Sequence, residues 1–293
     1  MTKSSVISRK YVFVWIFSLA FLLVGFPAHA VLDRAQKAGF APHKALYKVS
    51  METRKNGAQI ANVSGQMFYE WKTSCDAWIS NHRYDVLYDY ADAPSMRVKS
   101  DFSTYEAFDG ESLSFTSQRK RGGSIFEELR GNAKIKDEKS EAVYSMPPDL
   151  VFKLPKGALF PMAHTLDVME KIKQGKKFYK ATIFDGSDKD GPVDINTFIG
   201  KVFDTAGMTE TLENMDKDLI ETKAWKLRLA FFPLLEYQSI ADYEMDLVFH
   251  ENGVISDMLI EYEDFSIRQK LVAIEPMKDV CEAKSEGNKE VED

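Results

Sequence analysis

Tyr47, Val49 and Met51 alternate with Lys48, Ser50 and Glu52, and the same two-residue rhythm returns twice more. Trp225, Leu227, Leu229 and Phe231 alternate with Lys226, Arg228 and Ala230, and Tyr243, Met245 and Leu247 alternate with Asp242, Glu244 and Asp246. Side chains on a strand point to opposite faces in turn, so this pattern puts apolar residues on one face and polar residues on the other. That is antiparallel sheet with one face in water. Between such runs stand Asn56-Gly57, Asp109-Gly110, Gly122-Gly123 and Asn252-Gly253, dipeptides that supply the positive backbone angles of tight hairpin turns.

Strands are expected near 44–54, 60–72, 77–90, 96–107, 111–120, 125–135, 140–146, 177–185, 192–203, 225–234, 237–250, 254–263 and 266–275. About thirteen strands are more than one flat sheet holds, so the fold class is mainly β, a large antiparallel sheet curled into an open barrel or split into a sandwich. The exception is "FPMAHTLDVMEKIKQGKK", where Val168, Met169 and Ile172 share a face at helical spacing. Thr165 is the expected N-cap, and Gly175 followed by Lys176 and Lys177 the stop of a helix of about ten residues. Its apolar stripe should pack into the mouth or centre of the curved sheet. The stretch "DTAGMTETLENMDKDLIETK", ahead of Trp225, reads as a loop or a loose helix.

The first thirty residues have the layout of an export signal: Lys3, Arg9 and Lys10, an apolar run over 11–26, and the small-residue site Ala28-His29-Ala30. Cleavage is expected between Ala30 and Val31. A spanning helix needs roughly 20 apolar residues, more than this run supplies, and no other segment is long enough, so the processed chain should not span a membrane. Removing three positive charges takes the formal charge from −7 to −10. An acidic chain disfavours nucleic acid as a partner and broad adsorption to anionic lipid.

The chain has two cysteines, Cys75 and Cys281. In an exported chain they pair most simply with each other, since the compartment is oxidising and one intramolecular connectivity exists; two free thiols are the alternative. In a bacterium that compartment is the periplasm. The domain plan is then a signal over 1–30, a single closed domain over 31–281, and a polar tail over 282–293 without fixed structure.

Catalytic chemistry is not written here. His43, His82, His164 and His250 make no close metal-binding pair, and His164 is expected to cap or bond locally. Asp185 to Gly191, "DGSDKDG", faintly resembles a calcium loop but misplaces its glycine and lacks the twelfth-position glutamate, so a turn is the better account. There is no Gly-x-Ser-x-Gly elbow and no phosphate cradle. No catalytic residue, cofactor or metal is therefore expected. The basic tip Arg119 to Gly123 reads as a solvated hairpin end, with contact to an anionic headgroup as the functional alternative. Tyr69, Trp71, Trp78, Tyr84, Tyr88 and Tyr90 crowd around Cys75 and should fill a core or line a cavity for an apolar ligand.

"WKTSCDAW", "SDFSTYEAFDGESLSF", "LPKGALFPMAHT" and "FDGSDKDGPVDINTFIGK" resemble the cell envelope integrity protein B family of alphaproteobacterial periplasmic proteins. The resemblance runs from "APHKALYKVSM" to "DVCE" at Cys281. It implies a signal peptide, a spiral-like broken barrel around a helix, and a bridge that falls on Cys75 and Cys281. It implies support of envelope integrity under stress without an established enzymatic activity; binding of a partner protein or envelope component is the expected route, and a periplasmic hydrolase with a site built from dispersed residues is a further alternative. The family's curved sheet is similar to that of periplasmic lipoprotein carriers, which makes a lipid or lipoprotein ligand the alternative.

Overall fold

The computed structural model describes residues 39–205, 214–234 and 240–278. Fourteen strands form one antiparallel sheet: β1 (His43–Arg54), β2 (Ile60–Thr73), β3 (Ala77–Tyr90), β4 (Met96–Ala107), β5 (Ser112–Arg121), β6 (Ser124–Lys134), β7 (Glu141–Met146), β8 (Val151–Lys153), β9 (Phe178–Ile183), β10 (Val193–Asp204), β11 (Lys223–Pro233), β12 (Tyr243–His250), β13 (Ile255–Glu261) and β14 (Phe265–Pro276). The four turn dipeptides all lie between strands that pair with each other. Among the described residues there are two α-helices, α1 (Pro161–Lys173) and α2 (Lys217–Ile220).

The strand order is β8-β7-β6-β5-β4-β3-β2-β1-β14-β13-β12-β11-β10-β9. Every neighbour but one is also a neighbour in sequence. The exception is the β1–β14 seam, where His43 faces Pro276 and Arg54 faces Phe265. Expected and observed strands agree in kind, with two corrections. The three-residue β8 adds a fourteenth strand that carries too little alternation to be read, and the twelfth begins at Tyr243 rather than 237, with 235–239 outside the described residues.

The two outer strands, β8 and β9, do not pair with each other. The gap is bridged by other means. Leu159 donates its N–H to Thr182 O at 2.9 Å and accepts from Phe184 N at 3.0 Å, tying the chain after β8 to the end of β9. The β9–β10 turn then reaches the β5–β7 hairpins. Tyr144 Oη donates to Asp188 O at 2.7 Å, Arg119 Nη2 to Ser187 O at 3.0 Å, and Lys189 Nζ lies 3.2 Å from Glu127 Oε1. Phe115, Tyr144, Phe160 and Phe184 fill the space beneath this clasp.

Helix α1 starts four residues before the expected cap. Its N-cap is Phe160, with no side-chain bond of its own, and Pro161 sits in the first turn, where its missing N–H costs nothing. Thr165 Oγ1 instead donates back to Pro161 O at 2.8 Å. The orphan donors of that turn are met from outside the helix. Glu106, on β4 and 2 % exposed, accepts from Met162 N and Ala163 N, each at 2.8 Å. The other end stops where Gly175 takes φ +71°; Gly175 N and Lys176 N turn back to Ile172 O and Lys171 O. The expected stripe is present: Val168, Met169 and Ile172 are buried against Ile195, Leu227, Leu229 and Phe249 of the sheet.

The stretch ahead of Trp225 contains α2, capped by Asp216, whose side chain accepts from Leu219 N. Residues 206–213 lie outside the described set.

Candidate functional site

The inward positions of β2 to β5 and of β11 to β13 do not fill the space they enclose. Two adjoining cavities remain, of about 200 Å³ and about 410 Å³. Ligand sites of small molecules usually span roughly 300–1,000 Å³. The smaller cavity is apolar, walled by Trp71, Met162, Val168, Leu229 and Phe249. The larger is mixed, walled by Tyr84, Phe102 and Met258 together with Ser100, Ser117, Arg119, Asp185 and Ser187. His43, Tyr69, Leu247, Gly253 and Ile255 line both. They form the waist between them.

Period two explains how these side chains come together. Met67, Tyr69 and Trp71 share a face of β2, Ser117 and Arg119 one of β5, and Met245, Leu247 and Phe249 one of β12. Arg119 therefore belongs to the wall of the larger cavity, not to a solvated hairpin tip. Its Nη1 donates to Glu127 Oε2 at 2.7 Å and its Nη2 to Ser187 O. Arg121, two residues further on at the end of β5, lies over the Phe126 ring at 4.7 Å instead.

Burial sets the protonation of the lining. His82 and His164 are pushed down to about 4, and His43 is lowered by burial against the opposing effect of its bond to the Ala41 carbonyl. Burial pushes Tyr84 up to about 12 and raises Tyr69 and Tyr47. Near neutral pH these histidines and phenols are uncharged. Arg119 and Asp185 are the charged side chains that line the larger cavity, and the smaller has none.

Two histidines carry open hydrogen-bonding capacity. His43 Nδ1 lies 2.8 Å from Ala41 O while its Nε2 has no partner among the described residues; His164 Nε2 has none among them either, its ring stacked on Tyr179 at 5.9 Å. His164 does not cap the helix: the open N–H groups of the first turn are met by Glu106. His82 stands edge-on to Tyr69 at 4.8 Å. His250 is elsewhere, buried between Thr222 Oγ1 at 2.9 Å and Ser256 Oγ at 2.7 Å, and lines neither cavity.

The aromatic group divides. Trp71 and Trp78 stack at 5.6 Å, and Trp71 Nε1 donates to Met162 Sδ at 3.1 Å. Tyr69 and Tyr84 line the hollow, whereas Tyr88 packs against the neighbouring core. The "DGSDKDG" segment is a turn: Asp185 Oδ1 accepts from Ser187 N and Asp188 Oδ1 from Asp190 N, each at 2.8 Å. Among the described residues no group of three or more His, Cys, Asp or Glu could hold a metal ion. Cys75 lies in the β2–β3 turn, and Cys281, Ala30 and Val31 fall outside the described residues. No helix among the described residues is long and apolar enough to cross a membrane.

A family model described as EipB-like matches residues 34–278. The chain is 29% identical over 261 residues to the cell envelope integrity protein EipB of Brucella abortus (strain 2308), covering 87% of this chain and 90% of that protein. It is also similar to the crystal structure of a β-barrel-like protein with a domain of unknown function from Brucella abortus. There the TM-score is 0.75 at 27% identity, over 82% of this chain and 99% of the other. Neither name denotes an enzyme.

Proposed function

The chain belongs to the EipB-like family, and from that premise we propose a non-enzymatic periplasmic protein that supports cell envelope integrity by holding an acyl-bearing lipid or lipoprotein inside its sheet. The observation that carries this reading is the pair of joined cavities, one apolar and one partly polar. A packed interior would favour a scaffold; a hollow with an apolar end and hydroxyls at the other suits an amphiphile. Native mass spectrometry of protein purified from its own periplasm tests it. Acyl species should co-purify, and repeatedly empty preparations that also fail to take up added acyl compounds would sink the reading. Cells lacking the gene should lose tolerance to detergent and to β-lactams.

Two further features belong to this proposal. The chain is exported by a signal over 1–30 cut between Ala30 and Val31, leaving a single domain over 31–281. That domain is closed by a Cys75–Cys281 bridge. Register supports the bridge: Trp71 and Pro276 both face His43, from opposite sides, on strands running the same way. They are about 10 Å apart, two strand spacings. Cys75 follows Trp71 by four residues and Cys281 follows Pro276 by five, and five residues reach up to about 17 Å. Closing so long a loop stabilises by about 5 kcal/mol in the chain-entropy model. Periplasmic protein should resist alkylation until reduced; two alkylated thiols without reductant would remove the bridge.

A further inference from the structure

At the waist of the hollow stands a histidine whose tautomer is dictated by its neighbour. A carbonyl oxygen only accepts, so the 2.8 Å contact between His43 Nδ1 and Ala41 O places the hydrogen on Nδ1. Nε2 is then a bare acceptor. It is buried, the residue is 3 % exposed, and no described residue donates to it. A buried acceptor without a donor costs about 1–3 kcal/mol, so such groups in native proteins are met by water or a ligand. The rest of the waist, Tyr69, Leu247, Gly253 and Ile255, presents an apolar surround.

We propose that the hollow selects an apolar chain that carries a neutral hydrogen-bond donor, an amide N–H or a hydroxyl, which His43 Nε2 accepts where the two cavities meet. This rests on the cavity reading above. The apolar cavity takes the chain, and the larger one, with Ser100, Ser117 and Arg119 in its wall, takes the more polar remainder. A free carboxylate is disfavoured at the waist, because it presents lone pairs to a lone pair.

The test compares N-methyldodecanamide with N,N-dimethyldodecanamide, a pair that differs by one donor, and adds methyl 3-hydroxydodecanoate beside methyl dodecanoate. Calorimetric titration of the full chain should give about tenfold tighter binding for at least one donor-bearing compound over its partner. In His43→Phe the preference should fall to about twofold or less. The Nε2 nitrogen resonance of His43 in the unmodified protein should move with the preferred donor and stay put with its partner, which keeps the test open if the variant does not fold. Tightening with the amide points to N-acylated amines or peptides, tightening with the hydroxyl to hydroxylated acyl chains. Equal affinity within both pairs, as when a water alone satisfies Nε2, overturns the inference and leaves the cavity reading standing. Failure of all four to bind overturns both.

Discussion

The sheet encloses two regions built by the same alternation, one filled and one left hollow. Under the clasp, Phe115, Tyr144, Phe160 and Phe184 meet at centroid distances such as 4.8 Å and 5.7 Å, with Leu113 and Leu129 around them. The rings fit because glycine stands opposite: a Cβ at Gly186 would lie 2.3 Å from Phe115 Cγ, and one at Gly131 2.5 Å from Cζ. Around His43 a glycine also faces a ring, but less closely, a Cβ at Gly253 lying 3.2 Å from Phe40 Cγ, and in the larger cavity serines, methionines and Leu247 face Tyr84 and Phe102 across a gap. Void or packing is thus decided by which residues sit opposite each other, not by how apolar each strand is.

The contrast makes its strongest claim on stability. Phe184→Ala should cost about 3–5 kcal/mol, because the filled region cannot relax into the hole. Urea unfolding measures it, and a loss under about 1 kcal/mol would erase the distinction between the regions.

Next comes the boundary. Burial raises Glu106 from 4.5 to about 7, against the opposing pull of its two backbone bonds. The folded state therefore keeps a proton that the unfolded chain gives up above pH 4.5. Relative to Glu106→Gln, whose side chain does not titrate, the unmodified protein should lose on the order of 3 kcal/mol as the pH rises from 4.5 through 7. A pH-independent difference between the two would show that the carboxylate is charged at the helix start throughout.

Gly186→Ala follows at about 2 kcal/mol. Here φ +73° and the Phe115 ring both oppose a side chain, and the melting temperature reports the loss. The smallest stability change is expected in the hollow. Leu247→Phe adds volume where both cavities have room, so stability should shift by less than about 1 kcal/mol while acyl-amide binding falls at least tenfold. A large destabilisation there would mean that the region is filled after all.

Much of the fold was legible because strand pairing here is almost wholly local, and alternation plus a turn dipeptide reports a local hairpin. What escaped depends on distant partners. The local pattern points to Thr165 as the helix start, whereas the cap, Glu106, comes from a strand more than fifty residues earlier. Closure escaped because a turn sequence does not say what it touches, and Asp185 to Asp190 reach across to Arg119, Tyr144 and Glu127. The aromatics at Tyr69 and Tyr84 were readable as a lining. Arg119 does carry a signal in the sequence: counting by twos from Leu113 through Phe115 and Ser117 puts it on the inner face. His43 offered none, since an orphan acceptor exists only relative to its surroundings.

The β1–β14 join couples residues more than two hundred positions apart, whereas every other strand contact waits only for the next hairpin. Until the last strand joins, thirteen strands can pair in order while the first stands with one bare edge. Only the arrival of the fourteenth covers it, so the final strand acts as a check that the message was read through. A product cut short before Phe265 would present two raw borders, on β1 and on β13, and such borders invite stray association.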